Sequence, residues 1–111
     1  MSYTLDYVEL PSTDNTATAR FLSEAFGWPA VDYGPDYSAL EAGGAEMGVD
    51  GSAGRATAPL AIIRADDLEA AERAVVAAGG VILRPIYAYP GGRRFHFREP
   101  GGNELAVYVE G

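Results

Sequence analysis

His96 is the only histidine of the chain and the side chain best suited to proton transfer at neutral pH. It lies in a segment of alternating residue types, residues 93–98. Both phenylalanines share one side of this predicted strand, and His96 shares the other side with Arg94 and Arg98. In a cleft, His96 would act as a general acid or base, or as a ligand donor. On a half-buried strand it would instead be a structural polar residue, hydrogen-bonded to a neighbouring carboxylate. The spacing assigns no partner and leaves both interpretations open.

Two glutamates, Glu9 and Glu104, have the parity along their predicted strands that would direct them into a cleft. Two carboxyl groups in one cleft form an acid–base pair when their environments differ enough. The alternative is structural, because buried charges are usually paired, and Arg64 and Arg94 are available partners. The candidate catalytic residues are therefore His96, Glu104 and Glu9.

The composition excludes several classes of site. The 111 residues include no cysteine, which excludes disulfides, thiolate metal sites and a cysteine nucleophile. The chain has 16 acidic residues and eight arginines, and its net charge of −8 argues against binding to duplex nucleic acid. The same charge favours solubility or attracts a cationic ligand. No segment has the composition of a signal sequence or a membrane span, so we expect a cytoplasmic protein.

The hydrophobic pattern predicts the same order of elements twice. Each copy begins with a strand, followed by a helix that an aspartate caps: Asp14 in the first copy, and Asp66 or Asp67 in the second. Glycines end both helices, and three short strands follow each. The predicted strands are residues 3–10, 30–33, 37–42, 45–49, 60–64, 81–83, 93–98 and 105–109. Residues 85–90 are predicted to be an aromatic loop, and residues 50–59 a linker.

The segment FREPGGNELAVY, residues 97–108, resembles the closing hairpin of the vicinal oxygen chelate superfamily. That group includes glyoxalase I, extradiol dioxygenases, fosfomycin-resistance enzymes and bleomycin-binding proteins. The repeated order of elements strengthens the resemblance. It implies an α+β fold in which two βαβββ repeats form a curled mixed, mostly antiparallel sheet around a cleft. The chain is then a single domain, residues 1–111, with repeat one at about 1–52, the linker at about 50–59 and repeat two at about 58–111.

Periodicity predicts which side of each element is buried. The helices are expected to bury Thr18, Phe21, Leu22, Ala25 and Phe26 in the first copy, and Leu68, Ala71, Val75 and Ala78 in the second. The strands are expected to direct toward the helices Val8, Leu10, Ala61, Ile63, Phe95, Phe97, Leu105 and Val107. The ligand-binding cleft is expected to contain Leu5, Tyr7, Glu9, Leu60, Ile62, Arg64, Arg94, His96, Glu104, Ala106 and Tyr108, with Tyr87 and Tyr89 near its mouth.

The resemblance also implies four strand positions for metal ligands, which in the superfamily are usually His, Gln, Glu or Asp. In this sequence those positions fall on Tyr7, Leu60, Ala106 and Glu46. Only Glu46 is a suitable ligand, so neither a metal nor another cofactor is expected. A divergent divalent-metal site would have to recruit Glu46, Glu104 or His96.

These features predict a small-molecule-binding protein that resembles the bleomycin-resistance branch and lacks the usual metal site. Two enzymatic alternatives remain. One is a glyoxalase-related lyase- or isomerase-like enzyme that acts through cleft side chains, and the other is an enzyme with a divergent metal site. The expected partners are a small-molecule ligand and a second copy of the chain, with no nucleic acid and no membrane. An apolar cluster within residues 86–90 predicts the homodimer contact.

Overall fold

The computed structural model describes residues 2–111, which form two compact units. The first unit comprises residues 7–60, and the second comprises residues 2–6 and 61–111. Each unit is described by itself below. Within the described residues, neither helix is long and apolar enough to cross a membrane.

The first unit is a helix packed on a mixed sheet. Strand β1 (Tyr3–Pro11) enters it at Tyr7 and is followed by helix α1 (Asn15–Phe26) and strands β2 (Ala30–Asp32), β3 (Tyr37–Glu41) and β4 (Glu46–Asp50). The strand order is β2-β3-β4-β1, in which only the pairing of β1 with β4 is parallel. Residues 51–59, the bulk of the predicted linker, lie outside helices and strands.

The second unit repeats this order of elements. Strand β5 (Leu60–Ala65) is followed by helix α2 (Leu68–Ala77) and strands β6 (Val81–Tyr89), β7 (Gly92–Arg98) and β8 (Glu104–Glu110). The strand order is β5-β8-β7-β6, with β5 parallel to β8 and the other pairs antiparallel. The predicted α+β class, with two βαβββ units and mixed, mostly antiparallel pairing, is confirmed.

Aspartates begin both helices, as the sequence predicts. Asp14 and Asp67 each accept a hydrogen bond from the backbone N–H three residues later, at 3.1 Å and 3.0 Å. The alternative cap of α2, Asp66, instead accepts the backbone N–H of Ser2. Gly27 ends α1 in the left-handed region, with φ of 72°, where a residue without Cβ is favoured.

The core of the second unit lies between α2 and the sheet. Leu68 and Ala71 of the helix pack against Phe95, Phe97 and Val107 of the strands. The helix side of this sheet therefore carries the residues that strand parity predicts, namely Ile63, Phe95, Phe97, Leu105 and Val107. Their removal from water is the main stabilising contribution of this unit. It also fixes the register of β7 and β8, since a slip by one residue would move the core side chains of both strands to the opposite face of the sheet.

Helix α1 buries a different face from the one that its large apolar residues predict. Phe21 and Phe26 were predicted to be buried, but they are 66% and 60% exposed. Asn15, Ala19 and Leu22 face the sheet instead, at the spacing of a single helical face. The prediction was wrong for both phenylalanines because a small and a polar residue occupy the contact with the sheet.

A buried chain of polar groups accounts for this orientation of α1. The Asn15 amide donates to the hydroxyl of Ser38 at 2.9 Å, and that hydroxyl donates to the carboxylate of Asp32 at 2.6 Å. Asn15 and Ser38 are both buried, so the loss of either partner would leave a polar group without its hydrogen bond. The contact ties the first turn of α1 to β2 and β3.

Strand β6 is longer than the sequence predicts. Residues 85–89 were predicted to lie in a loop, but the strand continues to Tyr89, with irregular register on either side of Arg84. Such irregularity accommodates Pro85, which has no N–H to donate, on a strand at the end of the order. Ile86 packs on the core under α2, whereas Tyr87 lies beside Arg94 in the register. The apolar cluster predicted for a dimer contact is thus divided, because Ile86 is used inside the unit.

Substitution of two phenylalanines should separate the core from the exposed face of α1. Phe95→Ala removes a fully buried ring and is expected to lower the free energy of unfolding by about 3–5 kcal/mol. Phe21→Ala, its matched control, should change it by less than about 0.5 kcal/mol. Urea denaturation followed by circular dichroism measures both values. A large loss for Phe21→Ala would contradict the described orientation of α1.

Candidate functional site

The sheet of the second unit has one polar face, opposite α2. Because side chains alternate along a strand, the burial of Phe95 and Val107 under the helix directs their neighbours to the other face. We call this surface the polar face, and it comprises Arg84, Tyr87, Arg94, His96, Glu104 and Tyr108. The sequence predicted five of these six side chains as cleft residues, and the structure brings them together on strands β6, β7 and β8.

His96 lies at the centre of the polar face and is hydrogen-bonded through both ring nitrogens. Its Nδ1 is 2.9 Å from Oε2 of Glu104, and its Nε2 is 2.9 Å from the Tyr87 hydroxyl and 3.2 Å from Nε of Arg94. A guanidinium N–H can only donate, so Nε2 must be the unprotonated nitrogen. The ring proton is then on Nδ1 and is donated to Glu104. This hydrogen-bond pattern also makes Tyr87 a donor to Nε2.

His96 is uncharged at neutral pH for a physical reason. The residue is 2% exposed, and burial lowers the pKa of His96 below its ordinary value of 6.5 because the imidazolium loses its hydration. The hydrogen bond to Glu104 opposes this shift, and the positive charges of Arg94 and Arg84 reinforce it. The result is a neutral imidazole with one lone pair, on Nε2, directed at the Tyr87 hydroxyl.

Apolar residues form the floor beside His96. In the strand register, Ala106 is the cross-strand neighbour of His96, and Ile62 is the next neighbour on β5. Both are fully buried. His96 thus lies in a buried row of the sheet, where the loss of hydration lowers its pKa.

Aromatic rings and guanidinium groups lie around the Tyr87 side chain. The guanidinium carbon of Arg84 is 4.2 Å from the centroid of the Tyr87 ring, and the rings of His96 and Tyr89 are 5.8 Å and 6.5 Å away. The guanidinium carbon of Arg94 lies 5.6 Å from the Tyr89 ring centroid. Cations over aromatic rings are attracted to their negative faces, so these contacts hold the two tyrosines in place. Tyr87 and Tyr89 are only partly buried and can therefore contact a ligand.

The carboxylates of this unit contact His96, Arg64 and Tyr108. Glu104 hydrogen-bonds to His96, which is the carboxylate contact that the sequence left as an alternative for the histidine. Arg64 is exposed and forms its ion pair with Glu110, at 3.1 Å, rather than with a candidate catalytic glutamate. Tyr108 donates its hydroxyl to the carboxylate of Asp6. Arg64 thus lies on the solvated part of the unit, although it was predicted as a cleft residue.

Glu9, the remaining candidate catalytic residue, belongs to the first unit. It is 5% exposed and accepts a hydrogen bond from the Tyr37 hydroxyl at 3.3 Å. Its register partner on β4 is Gly48, where a Cβ would lie 2.0 Å from the Tyr37 hydroxyl oxygen. A glycine is therefore required at position 48, because the Tyr37 side chain passes over it to reach Glu9 on the neighbouring strand. Tyr7 lies on the same face of this sheet.

The strand positions implied for a metal do not provide a set of ligands. Leu60 and Ala106 are buried aliphatic side chains, without a donor atom. In the first unit, Tyr7 and Glu46 are register partners of β1 and β4, which leaves one carboxylate and one phenol. Divalent ions are held in proteins by several carboxylate, imidazole or carbonyl groups. Among residues 2–111, no group of three His, Asp or Glu side chains is arranged to hold an ion. The residues at these positions therefore do not form a binding site for a divalent metal ion.

Sequence reasoning missed two participants in these contacts, Arg84 and Asp6. Arg84 was overlooked because β6 was predicted to end before it. Asp6 contacts Tyr108 across 102 positions of sequence. Regular alternation would have placed Arg84 on the side of Ile82 and Ile86, so the irregular register of β6 left no local signal for it. No local signal was available for Asp6.

The neutrality of His96 makes the stability of the protein depend on pH. A histidine whose pKa is lowered by folding contributes stability above the unfolded value of about 6.5 and loses it as the pH falls toward the folded value. From pH about 7.5 to about 5, the free energy of unfolding should fall, by at most about 1.4 kcal/mol per pH unit for one proton. The loss should be smaller in His96→Gln, in which the carboxylates of lowered pKa, Glu69 and Glu99, still contribute to it. Urea denaturation across this range tests the sign, and a protein that became more stable toward pH 5 would contradict a buried neutral ring.

Comparison with known proteins identifies the family. The family model of the Glyoxalase/Bleomycin resistance protein/Dioxygenase superfamily matches residues 4–107. No curated protein matches the sequence.

Solved structures share the fold at low sequence identity. The chain is similar to a structure named NAD-dependent benzaldehyde dehydrogenase from Legionella pneumophila, with a TM-score of 0.81, 11% identity, and coverage of 95% of this chain and 98% of that one. It is also similar to methylmalonyl-CoA epimerase from Mycobacterium tuberculosis, with a TM-score of 0.72, 14% identity, and coverage of 96% and 87%.

A third similar structure is of a member of the same superfamily. It is a glyoxalase/bleomycin resistance protein/dioxygenase superfamily member from Vibrio splendidus, with a TM-score of 0.67, 16% identity, and coverage of 94% of this chain and 96% of that one. At these identities the structures establish the fold and not an activity. The family match and the βαβββ architecture together place the chain in the Glyoxalase/Bleomycin resistance protein/Dioxygenase superfamily.

Proposed function

We propose that this chain is a small-molecule-binding protein whose ligand contacts the polar face of the second unit, without the metal used by other members of the superfamily. The observation that carries this proposal is the buried His96 with its hydrogen-bonded partners. Polar groups on a buried sheet face are costly to desolvate, and an apolar packing would be cheaper for the fold alone. Their retention around partly accessible rings favours a binding role.

The groups that reach a ligand are those that keep some exposure. Tyr87 and Tyr89 are partly buried, Arg84 is exposed, and the Glu104 side chain is 33% exposed. Together they offer two aromatic faces, a cation and a carboxylate within one surface. Binding sites for small organic molecules typically combine apolar and aromatic area with a few fixed polar groups. The fully buried Ile62 and Ala106 provide the apolar floor.

Metal independence rests on the donor set. Two of the four positions implied for ligands are aliphatic, and Glu46 is exposed in the first unit. A divergent site that recruits Nε2 of His96 would have to displace its contacts with the Tyr87 hydroxyl and with Nε of Arg94. We therefore rank binding without a metal ahead of a divergent metal enzyme.

A lyase- or isomerase-like enzyme is the second candidate, and one observation favours it. Glu104, His96 and Tyr87 form a continuous hydrogen-bonded chain of carboxylate, imidazole and phenol. A neutral imidazole that is oriented by a carboxylate is the usual form of a general base. Glu9 stays a weaker catalytic candidate, with a hydrogen bond from Tyr37 in the first unit.

A thermal-shift screen tests the binding proposal. Compounds that stabilise the wild-type protein should do so equally with a chelator and with added Mn²⁺, Zn²⁺ or Ni²⁺. Their stabilising effect should fall in Tyr89→Leu and persist in Phe21→Leu, an exposed aromatic residue on α1 that serves as the matched control. Elemental analysis should find no stoichiometric metal. Stabilisation that requires a divalent ion, or that survives Tyr89→Leu, would refute the proposal.

The net charge of −8 leads to a separate prediction about ligand charge. Cationic compounds should bind more weakly as salt is added, because charges are screened over about 8–10 Å at physiological ionic strength. Neutral compounds should show no such dependence. Titration calorimetry at two salt concentrations measures the difference in affinity. Salt-independent binding of cationic compounds would refute a role of the net charge in binding.

Self-association stays a prediction, and fewer residues of the predicted apolar cluster are available for the contact. Tyr87, Tyr89 and Pro90 are the residues left for a contact, since Ile86 packs inside the second unit. A homodimer should bury at least about 1,200 Å² in total. Light scattering at micromolar concentration distinguishes a dimer from a monomer.

A further inference from the structure

The hydrogen bond between Tyr87 and His96 has a fixed direction. Arg94 donates to Nε2 of His96, so that nitrogen carries no proton, and the phenol can contact it only by donating. The Tyr87 hydroxyl therefore points its proton at a base, 2.9 Å away, that burial keeps neutral. Neither the core of the unit nor the binding proposal requires this direction.

We propose that the Glu104–His96–Tyr87 chain makes the Tyr87 hydroxyl a nucleophile toward the carbonyl carbon of a small ester held at the polar face. The proposal rests on the proposed function, since the ester would occupy the same surface. A hydroxyl becomes nucleophilic when an adjacent base takes its proton as the new bond forms, and a third group orients that base. Here His96 is the base and Glu104 is the orienting group.

The proposed step balances without an added reactant. The Tyr87 oxygen attacks the carbonyl carbon, and its proton passes to Nε2 of His96. The ester C–O bond then breaks, the alcohol or phenol departs with the proton that Nε2 of His96 gives to its oxygen, and the acyl group stays on the tyrosine. The imidazolium that forms is stabilised by its existing hydrogen bond to Glu104, at 2.9 Å from Nδ1.

The nearby positive charges act on both groups of this transfer, since they lower the pKa of His96 but stabilise a negative charge on the phenolic oxygen. Arg84 lies over the Tyr87 ring, where its positive charge stabilises the negative charge that develops on the phenolic oxygen. Arg94 donates to the same nitrogen that receives the proton, at a longer distance than Tyr87, 3.2 Å against 2.9 Å. Its hydrogen bond must be released in the step, which needs only a small displacement of one N–H. Tyr87 is partly buried, so a small ester can approach its hydroxyl.

Acetylation by p-nitrophenyl acetate tests the proposal with a probe of known chemistry. The protein is incubated with the ester near neutral pH, release of p-nitrophenolate is followed by absorbance, and the acetylated tyrosines are located by mass spectrometry. Tyr87 should be acetylated at least about tenfold faster than Tyr33, which is 66% exposed and serves as the internal control. His96→Gln should slow acetylation of Tyr87 by about 100-fold, the lower end of the effect of a general base.

Variants of Tyr87 and Glu104 complete the design. Tyr87→Phe should abolish the adduct while it retains the ring, with a lower melting temperature because one hydrogen bond to His96 is lost. Glu104→Gln should slow acetylation by an intermediate factor because the base is less well oriented. Equal acetylation of Tyr87 and Tyr33, or a rate unaffected by His96→Gln, would overturn the proposal. Release of p-nitrophenolate that persists in Tyr87→Phe would show direct attack by His96 and would overturn it as well.

The two proposals fail in different ways. Ligands found by the thermal-shift screen, together with an unreactive Tyr87, would leave a binding protein without this chemistry. Selective acetylation of Tyr87, together with a screen that finds no ligand at the polar face, would refute the binding proposal and retain the nucleophile.

Discussion

The second unit depends on one constraint, the burial of a histidine that must keep both ring nitrogens hydrogen-bonded. At 2% exposure, His96 cannot obtain these bonds from water, so Glu104 and Tyr87 must supply them. One partner comes from the strand on each side of β7, which couples the positions of β6 and β8 to a single ring. The chemical properties that we attribute to the site follow from this arrangement.

The same alternation that buries the core creates the polar face. Phe95 and Phe97 pack under α2, and His96 between them must point to the other side of the sheet. The apolar floor, Ile62 and Ala106, lies in the same cross-strand row. Packing therefore determines the electrostatics. The core fixes the strand register, and the register places His96 in the same buried row as Ala106 and Ile62. Burial there lowers the pKa of His96.

Much of the fold could be predicted from residue patterns. The capping aspartates, the glycine stop at Gly27 and the alternation around His96 are local signals, and they gave the order of elements and the parity of β7 and β8. The face of α1 was predicted wrongly because hydrophobicity suggested Phe21, whereas the buried Asn15–Ser38 hydrogen bond orients the helix. That contact joins residues 23 positions apart and leaves no local signal. The C-terminal part of β6 was predicted as a loop because an edge strand that contains proline has the same residue pattern as a loop.

The site could be predicted only in part. Strand parity selected His96, Glu104 and Arg94 as neighbours, but it could not determine which side chain donates to which. For the metal site, the resemblance to the superfamily supplied the strand positions of the ligands. The residues at two of these positions, Leu60 and Ala106, have no donor atom and argue against a bound metal ion. Family membership alone would suggest a metal ion, whereas the side chains at the ligand positions argue against one. The proposed function is based on the side chains.

The central claim is that His96 is neutral, with its proton on Nδ1 and its lone pair on Nε2 facing Tyr87. Because it is the only histidine, nuclear magnetic resonance of the protein with ¹⁵N-labelled histidine observes this ring alone. The account predicts, near neutral pH, one protonated nitrogen coupled as Nδ1–H and one unprotonated Nε2. A doubly protonated ring, or the tautomer with its proton on Nε2, would contradict it.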